Sequence, residues 1–252
     1  FGTGRRVIVA RGTTDVANPA EIAYSDDNGT TWTLVNVGST NGQFVQAAGG
    51  LFALDQNNIW MVTSGGYVYY SEDAGVTWTT QDAGVATAST LWAVHFADNL
   101  VGFAGGASDD VIRTIDGGVA WSAVTDVGAT STVNTIFALN AQKAWAGTAN
   151  GRLYYTEDAG TTWTRRSFSG DGVGAVKSIK FVNDLIGFMT HDTAAPVGRV
   201  FVTMDGGFNW EAVTTVTNNG LNDIAVCDEN NFYLAGEVTS GTATLVKVQP
   251  AA

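Results

Sequence analysis

Short apolar runs, separated by Gly, Asn and Asp, recur along the chain. Residues 92–96, 101–105, 111–114 and 120–124 show the pattern, and each run is rich in small, β-branched or aromatic side chains. Such runs are typical of β-strands, and no segment has the spacing of an amphipathic helix. Many runs are apolar throughout rather than alternating, which is expected where both faces of a strand are covered. The pattern therefore predicts an all-β fold.

An eight-residue motif, Ser/Thr-x-Asp-x-Gly-x-x-Trp, occurs five times and is called the octet below. The octets occupy residues 25–32, 71–78, 114–121, 156–163 and 203–210, so that successive tryptophans are 46, 43, 42 and 47 residues apart. This period matches a unit of four short strands, the size of one β-propeller blade. We therefore predict a propeller of four-stranded antiparallel blades. Six blades are favoured, with five or seven as alternatives.

Whole units also repeat. Residues 51–78 and 136–163 align without a gap and are identical at 14 of 28 positions. Residues 94–121 have the same length, and residues 179–210 are longer by four, with the extra residues in 191–198. We predict a single domain with units at about 1–40, 43–82, 90–126, 132–168, 175–216 and 219–249.

The octet has a physical explanation as a turn between the third and fourth strands of a blade. Its aspartate can accept backbone N–H groups, its glycine can adopt positive φ, and its tryptophan can anchor the turn. The residues concerned are Asp27, Gly29, Trp32, Asp73, Gly75, Trp78, Asp116, Gly118, Trp121, Asp158, Gly160, Trp163, Asp205, Gly207 and Trp210. Because the octet aspartates lie in five separate units, their carboxylates cannot converge on one substrate, and they are predicted to be structural and not catalytic.

A large aromatic residue recurs in the second strand of five units, at Trp60, Phe103, Trp145, Phe188 and Tyr233. A core between neighbouring blades is the favoured interpretation, since one aromatic side chain buries about 150–250 Å². A ring of stacking platforms for ligands is the alternative.

Composition limits the classes of partner and cofactor. The 12 basic and 24 acidic residues give a net charge of −12, which argues against nucleic acid, and no apolar stretch is long enough to insert into a membrane. The single cysteine, Cys227, excludes an internal disulfide, and we predict no cofactor and no metal, with calcium at 26–29 left open. The start at Phe1 suggests a processed product or a fragment. Only 4 lysines among abundant Gly, Thr and Ala favour an extracellular, cell-surface or virion-associated protein.

The octet resembles the Asp-box, or bacterial neuraminidase repeat, of sialidases, sortilin-like receptors and photosystem II assembly-factor-like propellers. The segments 102–106 and 114–121, Gly-Phe-Ala-Gly-Gly and Thr-x-Asp-Gly-Gly-x-x-Trp, are most similar to the last group. This resemblance implies an Asp-box propeller and an arginine-rich surface patch that touches a partner. Arg113, Arg152 and Arg199 are candidates for the patch, whereas Tyr67 and Glu21 fill comparable places in other units.

A sialidase-like enzyme that binds or hydrolyses glycans is the alternative function. Such enzymes resemble one another in an arginine triad, a Tyr–Glu pair and an acidic acid/base group. Here the nearest analogue of the first arginine segment, Arg5-Arg6-Val7-Ile8, lacks its proline, and no Glu lies in an obvious central strand beside a Tyr. His95 is expected to pack or to line the pore, and His191 to lie in an inserted loop. The sequence favours a non-catalytic protein.

The loops between second and third strands are the favoured binding site. They are short in three units and long at 12–20, 191–198 and 237–242, which would be consecutive units in a closed ring. Long loops on a rigid scaffold commonly carry recognition. We expect them to bind a protein partner in a larger assembly, or a glycan. The candidate polar groups are Arg11, Asp15, Asn18, His191, Asp192 and Arg199.

Overall fold

Antiparallel β-strands make up almost all of the regular secondary structure in this computed structural model, which describes residues 6–11, 21–37, 49–81, 90–125, 127–192, 198–213, 220–228, 231–239 and 242–248. A single turn of 3-10 helix at Ala107–Asp109 is the exception within these ranges. None of the helical structure described there is long and apolar enough to cross a bilayer. The predicted all-β class is confirmed.

Six sheets follow one another along the described chain, each a meander of neighbouring antiparallel strands. The first comprises β1 (Val7–Arg11), β2 (Glu21–Ser25) and β3 (Thr33–Asn36). The second comprises β4 (Leu51–Ala53), β5 (Ile59–Val62), β6 (Val68–Ser71) and β7 (Thr79–Gln81). The third comprises β8 (Leu91–Phe96), β9 (Gly102–Gly106), β10 (Val111–Thr114) and β11 (Ser122–Ala123).

The remaining sheets continue the same order. The fourth comprises β12 (Val133–Ala138), β13 (Ala144–Thr148), β14 (Leu153–Thr156) and β15 (Thr164–Arg166). The fifth comprises β16 (Ala175–Phe181), β17 (Gly187–Asp192), β18 (Gly198–Thr203) and β19 (Glu211–Val213). The sixth comprises β20 (Leu221–Asp228), β21 (Asn231–Thr239) and β22 (Thr242–Val248). Each sheet falls inside one predicted unit, while the single-domain division and the number of blades stay predictions.

Two of the predicted long loops are shorter than expected. The loop predicted at 237–242 is wrong, because β21 runs to Thr239 and β22 starts at Thr242. A register shift between the pairs Gly236–Thr244 and Thr239–Thr242 absorbs the extra residues in the hairpin. In the fifth sheet, Asp192 is paired with Gly198, so that residues at both ends of the loop predicted at 191–198 belong to strands. The loop predicted at 12–20 lies outside the described residues.

Apolar side chains fill the spaces between consecutive sheets. Five clusters of buried residues each join one sheet to the next, from the first and second to the fifth and sixth. The second-strand aromatics Trp60, Phe103, Trp145 and Phe188 are at most 4% exposed. Tyr233, at the equivalent position of the sixth sheet, differs with an exposure of 38%.

The antiparallel order gives the sheets two distinct ends. In the second to fifth sheets the octet connects the third strand to the fourth and lies at the same end as the turn between the first and second strands. In the three-stranded first sheet the octet connects β2 to β3. We call the end of a sheet that carries the octet the octet end, and the opposite end, where the strand that leads into the octet begins, the loop end.

Candidate functional site

The octets are closed by hydrogen bonds within each turn. In the first, the Ser25 hydroxyl donates to Asp27 Oδ1 at 2.8 Å and accepts the Gly29 N–H at 2.7 Å. Asp27 in turn accepts the N–H of Thr31 at 2.7 Å and its hydroxyl at 2.6 Å. The same bonds from the Ser or Thr hydroxyl to the aspartate, and from the glycine N–H to that hydroxyl, recur in the other four octets.

These bonds stabilise the ionised carboxylates. The hydroxyl and the N–H of Thr31 lower the pKa of Asp27 to about 2. The pKa of each of the other four octet aspartates is also lowered: burial, which is the largest single influence at Asp73, opposes the lowering, but hydrogen bonds within the turns outweigh it. Each carboxylate therefore faces its own turn, and the five do not converge on a common point.

The octet tryptophans close the turns in two ways. The indole N–H groups of Trp32, Trp78 and Trp210 donate to the carbonyl of the octet glycine at 3.0–3.1 Å. The indole N–H groups of Trp121 and Trp163 are buried without a hydrogen-bond partner in the described structure. The indole hydrogen bond does not follow the burial of the ring, because Trp32 makes the bond at 45% exposure whereas Trp121 is 1% exposed and lacks it.

His95 is packed between two aromatic rings. The rings of Phe52 and Phe137 both lie 4.2 Å from its ring, between centroids, and its Nδ1 accepts the Ala138 N–H at 3.2 Å. Burial, together with the charge of Lys180, lowers the pKa of His95 well below 6.5. A neutral, sequestered imidazole is suited to packing.

The loop end of the fifth sheet brings three predicted site residues together. His191 and Asp192 end β17, and Arg199 lies opposite His191 on β18. The expected loop position of His191 is wrong, since its side chain is 0% exposed and packs against Phe168 and Phe201. Burial lowers its pKa. Asp192 Oδ2 lies 4.0 Å from the ammonium group of Lys177.

The other candidates are not brought to this group by the described structure. Arg11 ends β1 in the first sheet, and Asp15 and Asn18 lie outside the described residues. The arginines suggested for a surface patch divide between the two ends. Arg113 lies at the octet end and donates to the Ala141 carbonyl at 3.2 Å, whereas Arg152 and Arg199 lie at the loop end.

Two chemical alternatives, a metal centre and the arginine of a glycan-binding site, can be compared with the described ranges. No group of three or more His, Cys, Asp or Glu side chains is placed there to share a cation. Arg6 binds both carboxylate oxygens of Asp26 at 2.7 and 2.8 Å and also the Ala74 carbonyl at 2.9 Å. Arg5 lies outside the described residues.

A cavity that the sequence interpretation missed lies at the octet end, between the second and third sheets. It measures about 660 Å³, and its lining includes Tyr70, Glu72, Gln81 and Asp116. The available signal was a difference between the two most similar units, in which Gln81 and Arg166 occupy equivalent fourth-strand positions.

Comparison with known proteins identifies relatives of the chain. Residues 80–244 match the family model described as "Photosynthesis system II assembly factor YCF48", and residues 23–34 match the BNR/Asp-box repeat. The photosystem II assembly lipoprotein Ycf48 of Synechococcus sp. (strain CC9902) is 27% identical over 155 residues, covering 57% of this chain and 45% of that protein. The match therefore spans less than half of that relative.

Solved structures extend the similarity to the fold. YCF48 from Cyanidioschyzon merolae superposes with a TM-score of 0.67 at 17% identity, over 92% of this chain and 74% of that one. The GH74 xyloglucanase from Xanthomonas campestris superposes with a TM-score of 0.69 at 14% identity, over 91% of this chain and 41% of that one. At these identities the two structures support the Asp-box propeller fold and no particular activity.

Proposed function

The chain belongs to the photosystem II assembly factor YCF48 family, and on this basis we propose that it is a non-catalytic propeller that binds a protein partner during assembly of a larger complex. The observation that carries the proposal is the family match over residues 80–244. Since the curated relative is matched over 45% of its length, the proposal concerns this chain and its own binding surfaces.

The loop end of the fifth sheet is the proposed contact surface. Asp192 and Arg199 are half-buried there on paired strands, and fully buried His191 supports them from within. Charged groups on paired strands lose less conformational freedom on binding than groups on long loops. Arg11, Asp15 and Asn18 would enlarge this surface if the first sheet lies beside it.

We place this role at a membrane surface or outside the cytoplasm, because the relative is named a lipoprotein. This agrees with the extracellular or cell-surface setting expected from the composition. The names of the photosystem II relatives indicate neither a virion nor a glycan ligand, so these two expectations stay predictions.

A glycan-hydrolysing enzyme is the weaker proposal. The likeness to the xyloglucanase is one of fold alone, at 14% identity. Arg6, which a sialidase-like site would need free, is held by Asp26 and Ala74. These contacts favour the non-catalytic role.

Binding to purified photosystem II reaction-centre complex in detergent, measured by surface plasmon resonance, tests the proposal. We expect Arg199→Ala and Asp192→Ala each to weaken binding by about fivefold or more, as is typical of residues central to an interface. Arg113→Ala is the matched control, because it removes the same charge at the octet end. It should leave the affinity unchanged.

Absence of binding by the unaltered chain would overturn the proposal. An equal loss in Arg113→Ala would overturn the choice of surface. Incubation with a fluorogenic sialoside and with xyloglucan tests the enzymatic alternative, and turnover of either would favour it over the binding role.

A further inference from the structure

Three sheets carry the same pair of side chains where a strand leads into its octet. A tyrosine is followed two residues later by an acid, as Tyr24 and Asp26, Tyr70 and Glu72, and Tyr155 and Glu157. Each tyrosine is paired across the ladder with a residue of the preceding strand, Ile8, Trp60 or Trp145. The three pairs are therefore structurally equivalent, and each borders the groove toward the next sheet.

The first of these grooves contains a guanidinium group from the chain itself. Arg6 Cζ lies 4.0 Å from the centroid of the Tyr24 ring, and two of its nitrogens bind Asp26 at 2.7 and 2.8 Å. A third nitrogen donates to the Ala74 carbonyl in the second sheet at 2.9 Å. Stacking on the ring, bidentate pairing and a bond to the next sheet together hold the cation between the sheets.

The groove between the fourth and fifth sheets is filled in a similar way. Arg166 Cζ lies 5.2 Å from the Tyr155 ring and 4.7 Å from the ring of Phe208 in the fifth sheet. Lys143 Nζ lies 3.4 Å from Glu157 Oε1. Beneath these groups Tyr155 is only 3% exposed.

Neutral residues replace every one of these cations in the groove between the second and third sheets. Asn58 is equivalent to Arg6 and Lys143 of the other two sheets, because each lies two residues before the strand residue that pairs with the tyrosine. Gln81, opposite Val68, stands where Arg166 lies opposite Leu153. Val119 stands where the fifth sheet has Phe208. Between the two sheets lies the cavity of about 660 Å³.

The walls of this cavity keep their negative charge. Glu72 makes no ion pair within the part of the chain that the structure describes. In four octets a Thr or Asn side chain donates to the second carboxylate oxygen of the aspartate, but the third octet has Ala120 at that position. Asp116 therefore lines the cavity without that donor. Burial and the charges of Glu72 and Asp55 raise the pKa of Tyr70.

We propose that this cavity binds the guanidinium group of an arginine side chain presented by a partner protein, in the way that Arg6 and Arg166 occupy the equivalent grooves. Tyr70 provides the ring face, and Glu72 and Asp116 provide the carboxylates. The site extends the proposed protein-binding role to the octet end. It does not depend on the contacts at the loop end, so the two proposals can fail separately.

Titration of the isotope-labelled full chain with N-acetyl-arginine amide, followed by amide NMR, tests the site. We expect saturable shifts centred on Glu72, Gln81 and residues 116–119. The isosteric, uncharged N-acetyl-citrulline amide should bind about tenfold more weakly, because it cannot pair with the carboxylates or make a cation–π contact. Free L-arginine is the third probe, and tighter binding of it than of the blocked amide would overturn the assignment to a protein side chain.

Substitutions between the equivalent grooves provide matched controls. Gln81→Arg supplies the internal cation and should abolish probe binding, while Glu72→Gln should weaken it about threefold. The double change Lys143→Asn with Arg166→Gln removes the cations from the groove between the fourth and fifth sheets and should create a second set of shifts around Glu157. Thermal unfolding of each variant verifies that it is folded. Unchanged binding in Gln81→Arg, or equal binding of both amides, would overturn the proposal.

Discussion

The second-strand aromatics allow one residue position to be tested in two environments. Trp145 is 1% exposed between the fourth and fifth sheets, with ring centroids of Tyr155, Phe181 and Trp210 at 4.2, 5.7 and 6.2 Å. Tyr233 occupies the equivalent position in the sixth sheet and is 38% exposed. Their replacement by alanine should therefore have very different effects on the free energy of unfolding.

The expected magnitudes follow from burial. Trp145→Ala removes a fully buried aromatic side chain and should lower the free energy of unfolding by about 3–5 kcal/mol. For a chain of this length that corresponds to a fall in Tm of about 10 °C. Tyr233→Ala leaves a smaller defect, and we expect a loss of about 1 kcal/mol and about 3 °C.

Urea unfolding followed by circular dichroism measures both losses, with differential scanning calorimetry for Tm. Trp145→Phe keeps part of the packing, so its free energy of unfolding should lie between those of the unaltered chain and Trp145→Ala. This variant provides the comparison if Trp145→Ala does not fold. Losses of equal size from Trp145→Ala and Tyr233→Ala would refute the reasoning, because the sixth sheet would then have to be as well covered as the fourth.

Two further predictions concern buried contacts. In the unaltered chain the free energy of unfolding should fall between about pH 7.5 and about pH 5, because the imidazole of His95 binds a proton below pH 6.5 in the unfolded state while the buried one stays neutral. His95→Phe removes this group and should make the decline smaller. Urea unfolding at the two pH values measures this, and an unchanged slope would contradict it. Gly207→Ala should lower the free energy of unfolding by about 1–3 kcal/mol more than Gly29→Ala. Both glycines have φ between +85° and +88°, but a Cβ added at Gly207 would lie 2.4 Å from the Trp145 ring, whereas a Cβ added at Gly29 would lie 3.6 Å from the Trp32 ring. Equal Tm values for the two glycine variants would show that the close contact relaxes without cost.

Much of the fold could be predicted because the octet combines local geometry with a period. Asp27, Gly29 and Trp32 are close in sequence, so their roles in the turn follow from residue type alone. The interval between successive tryptophans then indicates four short strands per unit. The position of Tyr233 shows where this reasoning stops, since burial also depends on which sheet lies beside it.

The candidate site was harder to predict because it depends on contacts between units. The sequence predicts His191 in a loop, yet β17 extends to Asp192 and the buried imidazole packs against Phe168 and Phe201. No local signal in the sequence marks that extension. Arg113 and Arg199 both belong to third strands, but at opposite ends. The cavity beside Glu72 depends on which side chains are absent from a neighbouring position, a property visible only when equivalent positions of different units are compared.

The hydrogen bonds of the octets join residues no more than four apart in the chain, as between Ser25 and Gly29 or between Asp27 and Thr31. Closing so short a segment loses little chain entropy, so each corner can form before the sheets meet. We therefore expect the hairpins closed by the octets to form first during folding, and the contacts between neighbouring sheets to form later. Substitutions at Asp158 should then slow refolding, and substitutions at Trp145 should mainly hasten unfolding.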